Sequence, residues 1–444
     1  MGRVITTLQH KATPESPMTP AVKSLVVPML TTLFSTEDVR ARARTTGAVR
    51  RQGKVDAYAL LMVVVLAVTV RGPTAIAQLG QVYCEMTRVK LARSSFWDRF
   101  NPGFAALLWW ALQRVMDDAR TPASRPPGAL SVFRDVLAAD STVMKVPDAL
   151  RPVWKGTRRN SARAALKVHA WIRVMTGELV KCKVTREAYG DSRAFGIDHQ
   201  LRGTLMLFDR GYASPSLWRR IDSVGGYFLT RIPAGWNQTI VSENRRHRGR
   251  ARALTGLTLK QTFHELKRTI VDVNVSFQCR VAAYGGKKKR KVQEVFRVVA
   301  VRHPETGEYA LYVTNAPPSM LAAESIRQVY RLRWEVETFF KTLKSGCSAN
   351  QFPSAKKPVV RALLYAGLFR AALAMRAKAR KRWLDTGRVN HGQWMRWWNR
   401  QLPHMLEELV SGPTEPLSLD DIRRMLTDPN HGRIPTRFAF VGSP

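Results

Sequence analysis

Four residues of different chemistry recur at helical spacing late in the chain: Tyr330, Arg333, Glu337 and Lys344. On an α-helix, at about 100° per residue, their side chains fall within roughly 60° of one another. One helix face would therefore carry a carboxylate flanked by two cations and a phenol. Because a core-facing stripe should be apolar, this face favours a metal-binding carboxylate among phosphate-binding cations.

Two aspartates that follow apolar runs extend this candidate chemistry. Asp140 follows Leu137-Ala-Ala139, and Asp209 comes directly after Leu205-Met-Leu-Phe208. A carboxylate beside a buried strand is costly unless it is paired or binds a metal, and active sites lie at strand ends in α/β sheets. Two aspartates on strands and Glu337 on a helix can hold two Mg²⁺ ions for phosphoryl transfer, with Mn²⁺ able to substitute. A lone aspartate is more often an ion-pair partner or a cap, so the prediction depends on all three.

The charge of the chain indicates the kind of partner. Lys and Arg total 72 against 33 acidic residues, a net charge of +39 over 444 residues. Such an excess attracts a polyanion and favours nucleic acid, with strongly salt-dependent binding. A ribosome-type or membrane-surface protein is the alternative. The 45% share of apolar residues predicts folded domains.

Several function classes are disfavoured by what the sequence lacks. It has no CxxC pair and no Cys/His cluster, so neither a zinc site nor a disulfide framework is predicted, and a reducing cytosol fits. No signal-peptide pattern and no P-loop motif occurs. The apolar run Ala57–Val70 is too short to span a bilayer and predicts a buried helix, so no membrane partner is expected.

The N-terminal part is predicted to be helical after an ill-ordered arm, residues 1–35. Thr74–Met86 and Ser94–Phe100 read as short helices, the second with Ser94 as its N-cap. Two short helices after a buried one suggest a small DNA-binding domain; a helical cap without DNA contact is the alternative. Residues 121–128 have the composition of a linker.

An α/β pattern begins near residue 136. The predicted strands are Val136–Val146, Ala165–Val174, Leu179–Val184, Leu205–Phe208 and Tyr227–Ile232, with a hairpin at Thr176-Gly177 and a helix over Ser216–Val224. Residues 234–315 read as short strands, including a hairpin of Phe296–Val301 with Tyr309–Val313. A long helix over 319–345 follows, and then helices over Val359–Arg382 and Gln393–Leu409.

These motifs resemble one protein family. The spacing Tyr-x2-Arg-x3-Glu-x6-Lys from Tyr330 to Lys344 matches at all four positions the signature of IS4-type bacterial insertion-sequence transposases. Asp140-Ser-Thr and Asp209-Arg-Gly-Tyr resemble the two catalytic Asp motifs of that family. The resemblance covers roughly residues 130–345.

The resemblance implies a fold and a division of the chain. The implied fold class is α/β: an RNase H-like core with a β-rich insertion, flanked by N-terminal and C-terminal helical regions. Residues 1–128 would form an arm and a helical DNA-binding domain. The core would comprise residues 129–233 and 316–357, separated by the insertion at 234–315. Residues 358–444 would form a C-terminal helical region.

The resemblance also implies residue roles. Asp140, Asp209 and Glu337 would be the catalytic, metal-binding triad, and Tyr330, Arg333 and Lys344 would contact phosphates near the transposon end. Weaker predicted DNA contacts come from basic residues in turns, namely Arg210, Lys287, Lys288 and Lys289, and from Lys167. His169 and His199 are predicted to be structural.

The predicted function is cut-and-paste transposition. The protein would bind transposon ends, cleave them by two-metal hydrolysis and join the new 3′-OH ends to target DNA. Its partners would be double-stranded DNA and a second copy of itself, in the cytoplasm at the bacterial nucleoid. The Trp-rich helices after residue 358 could serve that dimer or simply pack on the core.

Several alternatives remain open. One is a catalytically inactive DNA-binding derivative, and another is an RNase H-like nuclease without strand transfer. Tyr330 as a covalent nucleophile is a third, disfavoured by its place one turn before Arg333. A hairpin route would need an aromatic side chain to hold a flipped base. Tyr309, Tyr312 and Trp236 are candidates for which a structural role is favoured.

Overall fold

The computed structural model describes residues 19–50, 53–67, 76–120, 122, 124–157, 163–233, 235–244, 253–282, 289–346, 352–381 and 391–411. The chain groups into two compact units, Met1–Leu107 with Ala377–Gly432 and Leu108–Arg376 with Arg433–Pro444. The five-part division of the chain remains a prediction.

The first unit is built from helices. They are α1 (Thr19–Leu33), α2 (Thr36–Thr46), α3 (Ala57–Leu66), α4 (Ile76–Thr87), α5 (Arg93–Trp97), the start of α6 (Pro102–Arg120), the end of α12 (Lys357–Lys381) and α13 (His391–Ser411). All of α3 is buried, which confirms the predicted buried helix over its described length. Asp56 caps α3 by accepting a hydrogen bond from the Ala59 amide at 2.9 Å, and Arg40 pairs with the same carboxylate at 2.7 Å.

Two predictions in this unit were wrong in detail. Residues 19–33 form α1 rather than an ill-ordered arm, because burial of residues such as Val26 and Leu30 outweighs the local Pro content. Helix α5 begins at Arg93, and Ala92, not Ser94, occupies the N-cap without a side-chain hydrogen bond. Burial of Phe96, whose ring lies 5.9 Å from that of Tyr83, accounts for this short helix better than capping does.

The tryptophans of α13 are interior residues. Trp394, Trp397 and Trp398 are at most 5% exposed, and α13 packs against α1, α3 and α4. Packing within the unit therefore accounts for these side chains. The Lys357–Ala379 stretch of α12 is long and apolar enough to cross a membrane, but 78% of its most apolar window is buried, as in a core helix.

The second unit contains one nine-stranded sheet and its helices. The strands are β1 (Asp135–Lys145), β2 (Ala165–Arg173), β3 (Leu179–Arg186), β4 (Thr204–Phe208), β5 (Tyr227–Ile232), β6 (Ile240–Glu243), β7 (Ile270–Ala282), β8 (Lys289–Arg302) and β9 (Tyr309–Thr314). The described helices between and after the strands are α7 (Asp191–Ala194), α8 (Pro215–Asp222), α9 (Leu259–Glu265), α10 (Ile326–Arg331) and α11 (Trp334–Lys341).

The first five strands have the RNase H-like arrangement. The sheet order is β3-β2-β1-β4-β5-β9-β8-β7-β6. Strands β1, β4 and β5 are parallel, whereas β2 is antiparallel to both β1 and β3. The predicted α/β class with an RNase H-like core is confirmed, as is the β2–β3 hairpin, whose turn contains Gly177 at φ 78°.

The β-rich segment 234–315 continues the core sheet. Strand β9 pairs antiparallel with β5, from Leu229↔Thr314 to Ile232↔Leu311. The predicted β8–β9 hairpin is confirmed and turns at residues 304–306. Its strands extend the sheet beyond β5 and carry the chain back toward α10 and α11.

The predicted single helix over 319–345 is wrong. The segment forms α10 and α11, separated at Leu332-Arg333. The break is a tightening rather than a change of direction, because Arg333 and Val336 donate backbone hydrogen bonds to residues three positions earlier, Tyr330 and Arg333. In such 3₁₀ geometry residues three apart eclipse one another, so Tyr330 and Arg333 still share a face. After α11 the chain forms a π-helical turn, Thr342–Gly346.

Candidate active site

The two predicted aspartates lie side by side because of the sheet register. Parallel pairing of β1 with β4 ends at Ala139↔Phe208, so Asp140 and Asp209 are the next residues of their chains. Neighbouring strands lie about 4.8 Å apart, and side chains at paired positions point to the same face of the sheet. Asp209 directly follows the end of β4, whereas Asp140 lies inside β1, which continues past β4 while paired with β2.

Glu337 reaches the same place from α11, and Arg333 joins the three carboxylates. Arg333 Nη2 donates to Glu337 Oε1 at 2.6 Å and Nη1 donates to Asp140 Oδ2 at 3.3 Å. Arg333 Nε lies 3.9 Å from Asp209 Oδ1, within ion-pair distance. One guanidinium therefore contacts Asp140, Asp209 and Glu337, which lie far apart in sequence.

The electrostatics of this cluster are unbalanced, since three carboxylates surround one cation. Burial raises the pKa of Asp140 to about 6, and the charges of Asp209 and Asp191 add to that rise, while the Ser141 amide and Arg333 oppose it. Burial alone would lower the pKa of Arg333, but the Glu337 hydrogen bond and the other nearby negative charges raise it on balance. Arg333 therefore stays protonated, and the excess of carboxylates around it favours binding of a further cation.

Tyr330 lies beside Arg333, whose Cζ atom is 5.9 Å from the centroid of the Tyr330 ring. Burial raises the pKa of the Tyr330 hydroxyl to about 12. The Tyr330 ring packs edge-on against Tyr312 at 5.3 Å. Lys344 lies in the π-helical turn after α11, half-buried, and burial lowers its pKa. Glu335, two residues before Glu337, is buried and lies on another side of α11.

The donor set suits hard divalent cations, which prefer carboxylate oxygens. Within the described ranges, however, no three or more Asp, Glu, His or Cys side chains are arranged to hold one metal ion. Arg333 takes the central position instead, and its buried Nε atom makes no hydrogen bond within those ranges. The residues fit a metal site in chemistry and convergence, with a guanidinium where the ions would bind.

The other predicted contact residues have mixed placements. Arg210 is exposed in the turn after Asp209. Lys287 and Lys288 lie outside the described residues, and Lys289 begins β8 at the hairpin end.

None of the three aromatic residues considered for base stacking is free to stack in this arrangement. Tyr309 donates to the Leu266 carbonyl at 3.1 Å, and Tyr312 is buried. Trp236 packs against Trp218 and Phe277.

Two residues near the site were missed by sequence reasoning. Trp334, directly after Arg333, is 57% exposed, with Lys341 Nζ 5.8 Å from its ring centroid. Asp191, at the start of α7, hydrogen-bonds with Ser141 at 2.8 Å. Helical spacing alone could have flagged Trp334 as lying off the buried face. Only the tertiary fold brings Asp191 next to Asp140.

Comparison with known proteins identifies related transposases. The chain is 23% identical over 270 residues to the transposase for insertion sequence element IS231B of Bacillus thuringiensis subsp. berliner, which covers 54% of this chain and 55% of the relative. It is 26% identical to the transposase for insertion sequence element IS231C of the same organism, again over 270 residues, 54% of this chain and 55% of the relative. It is 18% identical over 373 residues to the transposase for IS1151 of Clostridium perfringens, with 77% and 78% covered. The chain spans about half the length of the IS231 relatives.

A solved structure and a family model complete the comparison. Among solved structures, the chain aligns with piggyBac transposase in a synaptic complex with hairpin DNA, at TM-score 0.41 and 11% identity, over 92% of this chain and 86% of that one. The model of the transposase DDE domain matches residues 132–372, a range that includes Asp140, Asp209 and Glu337. Because this match covers more than half of the chain, the protein belongs to the DDE transposase family, as its motifs predicted.

Proposed function

We propose that the protein is a cut-and-paste transposase of the IS4 type. It binds transposon ends, cleaves them by metal-dependent hydrolysis and joins their 3′-OH ends to target DNA. The observation that carries the proposal is the convergence of Asp140, Asp209 and Glu337 on one guanidinium. A phosphodiester cut by this chemistry needs clustered carboxylates among cations.

Asp140, Asp209 and Glu337 are proposed as the metal ligands. When bound, two Mg²⁺ ions (or Mn²⁺) would activate the attacking water or 3′-OH and stabilise the leaving oxygen. Asp140, on the central strand between the other two elements, is best placed to serve both ions. Asp209 and Glu337 would each bind one of the two ions.

Arg333 is proposed to exchange partners when DNA binds. In the DNA-free protein its guanidinium neutralises the carboxylates. With divalent cations at the triad, that neutralisation becomes redundant, and a planar guanidinium is well suited to phosphate. Tyr330, whose ring lies beside Arg333, and Lys344 are proposed to bind phosphates of the same strand.

Further DNA contacts are proposed for four other basic residues. Arg210 lies next to Asp209 and is exposed. Lys287 and Lys288 precede β8 in the sequence, and Lys289 is its first residue. Such contacts to the backbone position DNA without reading its sequence. Trp334, exposed beside Arg333, is proposed as an additional stacking surface for DNA near the cut.

The proposed partners and place of action follow from the reaction. Double-stranded DNA supplies both the transposon ends and the target, and handling two ends together calls for a homodimer in the DNA complex. The proposed location is the cytoplasm, at the nucleoid of a bacterial cell.

A strand-transfer assay tests the proposal. The full chain is incubated with Mg²⁺, labelled end-bearing DNA and a target plasmid, beside a Glu337→Gln variant. Cleavage and joining by the wild type, with both lost in Glu337→Gln while end binding persists, is the expected result. Cleavage without joining would identify a nuclease, and absence of cleavage with intact end binding would identify an inactive DNA-binding derivative. Misfolding of Glu337→Gln would show instead that Glu337 is a structural ion-pair partner.

A further inference from the structure

Asp191 touches the segments that follow both triad aspartates. It begins α7 and lies near the start of the turn after β4. Its Oδ1 atom accepts a hydrogen bond from Ser141 Oγ at 2.8 Å, in the residue directly after Asp140. Its Oδ2 atom lies 3.8 Å from the position that a Cβ would take on Gly211, two residues after Asp209.

Tyr212, in the turn after Asp209, lies close to the same carboxylate. Its ring is 2% exposed and stacks on Phe208 at 5.2 Å. Burial raises the pKa of the Tyr212 hydroxyl well above its usual value, and the nearby charges of Asp191, Asp140 and Asp209 add to that rise. Asp191 therefore lies next to the turn that follows Asp209 as well as next to the strand residue that follows Asp140.

Strand β1 is consequently held from both faces at adjacent residues. Successive side chains of a strand point to opposite faces. Asp140 meets Arg333 of α11 at 3.3 Å on one face, while Ser141 meets Asp191 of α7 on the other. Movement of Asp191 would free the strand on the side opposite to Arg333.

The charge of Asp191 is balanced by Lys167. Lys167 Nζ lies 3.2 Å from Asp191 Oδ1, with side-chain exposures of 13% and 23%. His169 Nδ1 is 3.5 Å from the same oxygen. His169 Nε2 lies 2.9 Å from Thr185 Oγ1, and burial lowers the pKa of His169 to about 4. Lys167 is thus the charged partner of Asp191.

We propose that Asp191 is a positioning residue for the metal-binding aspartates. By bonding Ser141 and lying against the turn at Gly211, it fixes the separation of Asp140 from Asp209. This inference rests on the proposed function, because it assigns Asp191 a purpose only if those aspartates bind metal. Residues that orient metal ligands typically contribute about 10–100-fold to metal affinity or activity.

The test compares Mn²⁺ binding to the DNA-free, full-length protein among four variants. Asp191→Ala removes the acceptor, and Asp191→Asn keeps an oxygen that accepts from Ser141 and Lys167. Asp198→Asn is the matched control, since Asp198 pairs with Lys181 at 3.0 Å on an exposed part of the same segment. Asp140→Asn removes a proposed ligand. Calorimetry measures Mn²⁺ affinity, and filter binding measures affinity for end DNA.

The expected result is a pattern that a merely structural role would not produce. Asp191→Ala weakens Mn²⁺ binding about tenfold or more, and Asp191→Asn restores most of the loss. Asp198→Asn binds Mn²⁺ like the wild type, and end DNA binds all variants within about twofold of it.

Two outcomes overturn the inference and are distinguishable. If Asp140→Asn loses Mn²⁺ binding but Asp191→Ala keeps wild-type affinity, or Asp191→Asn is as impaired as Asp191→Ala, the positioning role is wrong and the triad stands. If Asp140→Asn keeps wild-type Mn²⁺ affinity, the proposed triad is wrong and the positioning role is wrong with it. If Asp191→Ala does not fold, Ser141→Ala removes the other partner of the same hydrogen bond and is expected to weaken Mn²⁺ binding about tenfold; wild-type affinity in Ser141→Ala would then overturn the inference.

Discussion

Arg333 Nη2 lies 2.6 Å from Glu337 Oε1, one helical turn away, and the same guanidinium also contacts Asp140. A basic residue thus occupies the point where three acidic residues of a DDE transposase meet. The DNA-free protein neutralises its site with its own side chain. Divalent ions and Arg333 should therefore stabilise the same carboxylates, and their effects should be interdependent.

Removing Arg333 should make folding stability depend on metal. Arg333→Met leaves partly buried carboxylates without a cation, which should lower the free energy of unfolding by about 1–3 kcal/mol. Mg²⁺ should recover part of this loss, so the Mg²⁺-induced rise in melting temperature should be larger in the variant than in the wild type.

Arg297→Met is the control for that experiment. Arg297 is buried and pairs with Asp272 at 2.6 Å, in the β7–β8 region. Its loss should also destabilise the protein, but Mg²⁺ should not restore stability. An equal Mg²⁺ effect in wild type and Arg333→Met would show that Arg333 and the ions do not share ligands.

Asp140 gives the metal-free protein a pH dependence. Burial raises its pKa from 3.8 to about 6. Because this carboxyl binds its proton more tightly in the folded than in the unfolded chain, its contribution to folding stability is full below pH 4 and is lost as pH rises through 6. A metal must displace that proton, so Mn²⁺ affinity should fall below about pH 6.

Calorimetry at pH 5.5 and 7.5 checks the Asp140 prediction. At pH 5.5, Mn²⁺ binding by the wild type should release a proton, seen as a dependence of the heat on the buffer's ionisation enthalpy. Little release is expected at pH 7.5. The same proton release at both values would contradict the raised pKa.

His169 should produce the opposite pH dependence of stability. Burial lowers its pKa from 6.5 to about 4; Lys167 and Lys183 add to this, and Asp191 opposes it. Between pH 6.5 and 4 the unfolded chain binds the proton and the folded chain does not, so stability should fall as pH falls through this window. Denaturant unfolding across the window should show a shallower fall for His169→Gln, whereas His199→Gln, at an exposed position, should behave as wild type. Identical slopes in all three proteins would rule out His169 as the cause.

Tyr330→Phe separates phosphate contact from covalent catalysis. The pKa of Tyr330, which burial raises to about 12, disfavours a nucleophilic phenolate. The variant should retain cleavage within about 150-fold of the wild type, because one hydrogen bond to a charged phosphate contributes about 1.5–3 kcal/mol, or about 10–150-fold in rate. Denaturing gels after reaction with labelled end DNA should show no protein–DNA adduct in either protein. Loss of all cleavage together with a wild-type adduct would establish covalent catalysis.

The parts of the fold that sequence could predict are the locally encoded ones. The apolar runs in Leu205–Phe208 and Tyr227–Ile232 and the Thr176-Gly177 turn are each encoded within a few neighbouring residues, and these patterns predict the strands and the hairpin. Pairing of β9 with β5 joins residues about 80 positions apart, and no local pattern encodes such a register. The break before Arg333 was missed because 3₁₀ and α-helical spacings differ little over one turn.

The site was predictable to the extent that its residues have distinctive spacing. Glu337 and its neighbours were located by helical periodicity, and Asp140 and Asp209 by the apolar runs that precede them. The position of Arg333 between the carboxylates depends on how α11 packs on β1, and Asp191 reaches Ser141 only through the fold of α7. Both relationships are tertiary and leave no periodic trace in the sequence.

Anomalous scattering from Mn²⁺-soaked crystals of the wild-type protein would locate the metal ions relative to the three carboxylates. Two anomalous peaks are expected roughly 2.1 Å from carboxylate oxygens of Asp140, Asp209 and Glu337, with the Arg333 guanidinium moved away from Asp140. Crystals that bind Mn²⁺ elsewhere, or that leave Arg333 bonded to Asp140 and Glu337 at saturating Mn²⁺, would contradict this expectation.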